Sequence, residues 1–280
     1  GERDVIERME TAFRNCEKLQ KHMRLLLDKG GLYKIYNGNL LFHGCIPLNE
    51  DGSLKEIQIY GKKYKGRELY DVLETYVRRA FFAVDSMEQR KGMDILWFIW
   101  ASPSSPLFGK DKMTTFERYF IADKETHKET KGAYYHLLEN EEVVDTLLQE
   151  FDLSPENGHI INGHVPVHQG EGESPVKCNG KVIVIDGGFC KAYQKVTGIA
   201  GYTLIYNSYG LILSAHEPFT SKEDAVSKES DIVSNRVSVH YTSKRRLVGD
   251  TDTGKALRER IEELMQLLDA YRKGYIKEKK

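Results

Sequence analysis

Two short stretches of this sequence carry the residue types best suited to chemistry. Phe42-His43-Gly44-Cys45-Ile46-Pro47 and Ile161-Asn162-Gly163-His164-Val165-Pro166 share one plan: an apolar run ends, a histidine stands beside a glycine, and a proline follows. A strand that stops at such a corner can aim an imidazole at a metal ion, and glycine lets the backbone approach closely. Taken alone, a histidine in such a place is more often structural or a surface group. A third stretch, Ser104-Ser105-Pro106-Leu107-Phe108-Gly109-Lys110-Asp111-Lys112, joins hydroxyls, a glycine and two ammonium groups, and Arg118 follows a few residues on. Lysine binds phosphate as a point charge and arginine as a bidentate donor. Lys110, Lys112 and Arg118 are therefore candidate substrate contacts; the other reading of this stretch is a solvated surface loop.

The remaining candidates carry less. His168 stands four residues beyond His164 and reads as a neighbour of the site rather than a ligand. His127, His136, His216 and His240 carry no motif, and His159 precedes a strand. The basic cluster Lys244-Arg245-Arg246 reads as a solvated strand end. Cys16, Cys45, Cys178 and Cys190 form no Cys-x-x-Cys pair, which argues against a structural zinc knuckle and for reduced thiols in a cytoplasmic protein.

The elements that must position these residues follow from periodicity. Residues 2–28 read as one helix, with Ile6, Met9, Phe13, Cys16 and Met23 on a single stripe, stopped at Gly30-Gly31. Leu32–Tyr36 and Asn39–His43 flank Asn37-Gly38, a pair that favours the type I′ hairpin turn because both positions need positive φ. A second hairpin is expected around Gly61. Residues 67–91 read as a helix whose buried face runs from Leu69 and Leu73 to Val84, residues 101–113 as a loop, and residues 139–150 as a helix. From Gly158 the pattern turns to short strands: His159–Asn162, Lys181–Asp186, Tyr202–Tyr206 and Leu211–Ser214. Thr220–Asp231 is polar and reads as mobile. A last helix opens near Asp252, where Leu257, Ile261, Leu264, Leu268 and Tyr271 alternate steps of four and three. That seam suits either docking on the helix's own domain or a contact with a second copy.

Bulk properties set the class. The chain has 280 residues, 41 basic and 42 acidic, for a net charge of −1. That balance gives no nucleic-acid footprint. The longest apolar run, Ile95–Ala101, is far short of a membrane span. Gly1 ahead of a charged helical stretch, with no Met, reads as a cloning remnant and the chain as an expressed piece.

His43-Gly44 and Gly163-His164-Val165-Pro166 resemble the last two of the five ligand motifs of calcineurin-like metallophosphoesterases. Lys181–Gly187 resembles the core strand that follows them, and the hairpin Tyr202–Ser214 the closing strands of that fold. Phe42–Leu48, Ser105–Phe120 and Asn162–Val167 narrow the resemblance to the class III, Firmicutes-type fructose-1,6-bisphosphatases, over essentially the whole chain and about the second half of the family's length. The resemblance implies an α+β fold with part of a β-sandwich from residues 30–65 and 158–215, a helical insertion at 66–157, and the C-terminal helix from 250. It implies hydrolysis of the 1-phosphate of fructose 1,6-bisphosphate in gluconeogenesis by water activated on two metal ions, Mn²⁺ being the expected cofactor, with His43 and His164 as ligands of one of them.

The earlier motifs, Asp-x-His, Gly-Asp-x-x-Asp-Arg and Gly-Asn-His, are absent; Gly249-Asp250-Thr251-Asp252 only superficially resembles the second. Two imidazoles without carboxylates are a poor site for a hard divalent ion. The chain by itself is therefore expected to bind metal weakly at most, to be inactive, and to associate with itself through the exposed face of a truncated sandwich, as a homo-oligomer. The rival readings are another metallophosphoesterase, such as a protein phosphatase or a dinucleotide hydrolase, and a non-catalytic binding or oligomerisation module.

Overall fold

The computed structural model describes residues 1–219, 221–229 and 234–277. In chain order the elements are α1 (Glu2–Arg14), α2 (Glu17–Lys29), β1 (Tyr33–Tyr36), β2 (Asn39–Phe42), β3 (Ile57–Ile59), β4 (Lys62–Tyr64), α3 (Gly66–Phe82), α4 (Ser86–Ala101), α5 (Thr115–Phe120), α6 (Ala133–His136) and α7 (Glu141–Glu150). There follow β5 (His159–Asn162), β6 (Val176–Lys177), β7 (Val182–Val184), α8 (Lys191–Thr197), β8 (Tyr202–Asn207), β9 (Gly210–His216), α9 (Lys222–Ser227), β10 (Ser234–Tyr241) and α10 (Asp252–Arg272). The fold is α+β, as the sequence implies. The chain divides into two compact units, Gly1–Lys34 with Phe42–His136, and Ile35–Leu41 with Leu137–Lys280.

The first unit is organised by a helical hairpin. The expected helix over 67–91 is two helices, because Asp85 starts α4 afresh by accepting from the amides of Met87 and Glu88. Val84, assigned from the sequence to a buried face, lies in the break and is fully exposed. Leu69 and Leu73 of α3 meet Ile95 and Ile99 of α4 and Ile57 and Ile59 of β3 in one apolar cluster. The run Ile95–Ala101 is thus the end of a helix. A β-carbon on Gly92 would lie 2.3 Å from the Ala80 nitrogen, so α3 and α4 touch there backbone to backbone. The expected helix over 2–28 is also two, broken at Asn15-Cys16, and neither buries a residue. Its stripe residues Ile6, Met9 and Phe13 are exposed.

The second unit holds two sheets. One has strand order β1-β2-β5-β7-β6, the other β10-β9-β8. β2 runs parallel to β5, and β5 parallel to β7; apart from the half-buried Leu41 their residues are all buried, with Asn39, His159 and Asn162 the polar ones among them. The turn between β1 and β2 has Asn37 at φ +51 and Gly38 at φ +80, as the Asn-Gly pair requires. The β8–β9 hairpin stands where the sequence placed it, and β10 extends its sheet on the other side of β9. The sheets meet where the rings of His159 (β5) and His240 (β10) stand edge to face, 5.0 Å between centroids.

Three expectations about organisation change. Residues 30–65 do not stay together: Asn39–Leu41 pair with β5, whereas the β3–β4 hairpin packs on α3 and α4. Residues 66–157 divide too, since α7 belongs to the second unit. The stretch Thr220–Asp231 contains the short helix α9, started by Ser221, while residues 220 and 230–233 lie outside those described. At the C-terminal end, α10 is not docked along its seam: Gly254 is its one buried residue. Gly249–Asp252, the superficial metal motif, is instead a helix start. Thr251 accepts from the Gly254 amide at 3.1 Å, and Asp252 and Asn37 exchange side-chain-to-amide bonds of 2.6 and 2.9 Å.

Candidate functional site

In the first unit the stretch 42–47 lies against the stretch 104–112. His43 leaves the end of β2 on an exposed corner, and the chain behind it is wedged. A β-carbon on Gly44 would stand 2.3 Å from the Leu107 carbonyl oxygen. The Cys45 amide donates to the Pro106 carbonyl at 2.8 Å, and the Tyr70 hydroxyl to the Cys45 carbonyl at 2.7 Å. Gly109, at φ +57, leaves room for the Cys45 sulfur. Burial pushes the Cys45 thiol up to about 12, so it is an inert packing group rather than a nucleophile. Ser105 is fully buried and bonds the Ile99 carbonyl and the Leu107 amide, which fixes the turn that receives Gly44.

In the second unit His164 follows β5. The Val165 amide bonds back to the Gly163 carbonyl at 2.8 Å, closing a γ-turn with His164 at its centre, at φ +67. The two residues after β7 hold both sides of this turn: the Ile185 amide donates to the Asn162 carbonyl at 2.9 Å, and the Val167 amide to the Asp186 carbonyl at 2.9 Å. The His164 Nε2 atom is sealed from solvent. Beyond the turn, the Glu173 carboxylate accepts from the His168 amide at 3.0 Å and from Lys177 at 3.2 Å, and His168 Nδ1 lies 3.7 Å from Glu171. His168 thus belongs to the loop that braces the turn. The anchoring Asp186 went unassigned in the sequence; the glycines after it, in Asp186-Gly187-Gly188, were the available signal for a tight corner.

Lys110, Lys112 and Arg118 come together, but around an internal hub. Glu129 accepts from Lys110 at 2.8 Å and from both the amide and the hydroxyl of Thr114, at 3.0 and 2.8 Å. Arg118 bonds the Thr114 hydroxyl and the His127 carbonyl, and Lys112 the Thr126 carbonyl. Burial works to raise the Glu129 carboxyl, yet Lys110 and Thr114 outweigh it and hold it at about 2. The polar ends of all three basic residues therefore close the segment 109–132. Sequence reasoning missed Glu129 because its partners lie 15 and 19 residues away. Of the other histidines, His127 Nε2 meets two backbone carbonyls, and His216 bridges Thr203 and Ser234. Arg246 packs on the Tyr206 ring and donates to its hydroxyl.

His43 belongs to the first unit and His164 to the second. Among the described residues no group of three or more His, Cys, Asp or Glu side chains is placed to hold a metal ion. The donors of this chain, taken by themselves, do not fit a divalent metal centre.

The family model described as Firmicute fructose-1,6-bisphosphatase matches residues 1–273. Proteins named fructose-1,6-bisphosphatase class 3 are similar along nearly the whole chain. That of Clostridioides difficile (strain 630) is 57% identical over 278 residues, 99% of this chain and 42% of that protein. Those of Clostridium botulinum (strain Loch Maree / Type A3) and Clostridium tetani (strain Massachusetts / E88) are each 54% identical over the same shares. The chain thus spans 42% of the length of these relatives. No solved structure matches it.

Proposed function

This chain belongs to the Firmicute fructose-1,6-bisphosphatase family, and from that membership we propose that the protein, over the length its relatives have, removes the 1-phosphate of fructose 1,6-bisphosphate as a gluconeogenic metallophosphoesterase. A divalent ion such as Mn²⁺ is its cofactor in this reading. His43 and His164 are ligand imidazoles, and the remaining ligands come from the part of the relatives' length that this chain does not span.

The observation that carries the site reading is the backbone at His164. A β-carbon held at φ +67 costs on the order of 1–3 kcal/mol. Glycine would take that position without the cost, which supports a role for the ring itself. The γ-turn and the two bonds to Ile185 and Asp186 fix the backbone that carries the imidazole, which suits a ligand position. Gly44 does the same for His43, since the close approach to Leu107 fixes the corner that presents it.

Two imidazoles without a carboxylate are a poor set for a hard ion, so the chain alone is inactive in this reading. Its four free thiols fit a reducing cytoplasm. Phosphate release from fructose 1,6-bisphosphate by the full-length protein, with and without a chelator, tests the activity. Chelator-sensitive release is expected. Undiminished release with all divalent ions removed, or full turnover by residues 1–280 alone, contradicts the proposal.

A further inference from the structure

The 21-residue helix α10 is fastened only at its start. Thr251 caps it, Asp252 exchanges bonds with Asn37, Thr253 meets the Tyr36 hydroxyl at 2.8 Å, and Gly254 sits so tightly that a β-carbon would strike the Val248 carbonyl. From Leu257 onward no residue of the helix is buried. The seam residues Leu257, Ile261, Leu264, Leu268 and Tyr271 are between 42% and 55% exposed, and beside them Met265 and Leu267 are 65% and 43% exposed. A helix with such a stripe is stable in water only when the stripe is covered.

From this we infer that α10 is a dimerisation helix, pairing in parallel with α10 of a second copy of the chain. Four features select that occupant. The steps of four and three put Ile261 and Leu268 at a positions and Leu257, Leu264 and Tyr271 at d. Of these, Ile261 at a beside Leu264 at d has the β-branched and leucine arrangement that favours two parallel strands. In that register the flanking pairs are Arg260 with Met265 and Leu267 with Arg272 of the other copy, so no like charges meet across the seam; Glu262, Glu263 and Asp269 point away. The bare apolar side chains amount to on the order of 700 Å² on each copy, close to the ~800 Å² per partner of a standard interface. Anchoring at Asn37, Thr251 and Gly254 sets the start of both helices at one level, which suits a parallel, in-register pair.

The test is the solution mass of the full-length protein by light scattering, with three variants. The wild type is expected to be dimeric, Leu264→Arg monomeric with unchanged helical circular dichroism, and Glu262→Arg, on the outer face, dimeric. Leu264→Cys should form an interchain disulfide under mild oxidation, because d positions face each other only in the parallel register. A monomeric wild type overturns the inference. So does a dimer that survives Leu264→Arg, or a Leu264→Arg protein that loses its fold while the wild type is monomeric, since the seam would then be covered from within the same polypeptide. The mass readout is independent of phosphatase activity, so failure here leaves the proposed function standing, and the reverse.

Discussion

His164 is the residue at which backbone and chemistry conflict. Replacing it with glycine relieves the positive-φ strain at a small entropic cost, so His164→Gly should stabilise the second unit by about 1 kcal/mol. His164→Ala keeps the β-carbon and should not. Both should remove turnover in the full-length protein. Urea denaturation of the pair, read with phosphate release, checks this; a destabilised glycine variant would mean the turn is not strained. Glu129 offers a second residue-scale outcome. Its folded carboxyl, held at about 2, lies below its unfolded value. Its stabilisation is therefore complete above about pH 4.3 and is lost as the pH falls from there through 2. Glu129→Gln should lower the melting temperature at neutral pH, with the gap to wild type closing below pH 4. A constant gap would show that charge is not what closes the 109–132 segment.

At the scale of elements, the close passage of α3 and α4 at Gly92 sets packing against propensity. Alanine is the better helix former by about 1 kcal/mol, yet its β-carbon would enter the Ala80 backbone. Gly92→Ala should therefore destabilise the first unit by about 2 kcal/mol or more in thermal melts, and a gain would deny the contact. The sheets of the second unit are pH-sensitive where His159 meets His240. Burial, then His240 and Arg246, push His159 down to about 4. The unfolded chain takes up the proton first, so stability should fall as pH drops from about 6.5 to 4 and level off below. His159→Leu should flatten that slope in pH-dependent denaturation; an unchanged slope would place its origin elsewhere. Much of this architecture was legible: Asn37-Gly38 announced its hairpin, and the runs from His159 and Tyr202 announced β5 and β8. The breaks after Arg14 and Phe82 were not, because apolar spacing continues through them and only the caps interrupt the helix. Strand β10, Ser234–Tyr241, escaped because its residues are mostly exposed and its pattern is polar. The two corners with adjacent histidine and glycine were visible as motifs, but the ion pair of Lys110 with Glu129 was not, since the partners stand 19 residues apart.

At the scale of the whole molecule, the two candidate histidines stand on braced corners of separate compact units, and among the described residues no group of three or more His, Cys, Asp or Glu side chains is placed to hold a metal ion. The central claim is the proposal that those imidazoles serve one metal ion in the full-length protein. The most direct measurement is a double-mutant cycle on phosphate release with metal content read in parallel, using His43→Ala, His164→Ala and the double variant. If the two residues hold the same ion, each single variant loses metal and most activity, and the double variant loses little more than either. Independent, multiplying losses, or a single variant with full activity and metal content, would contradict the account.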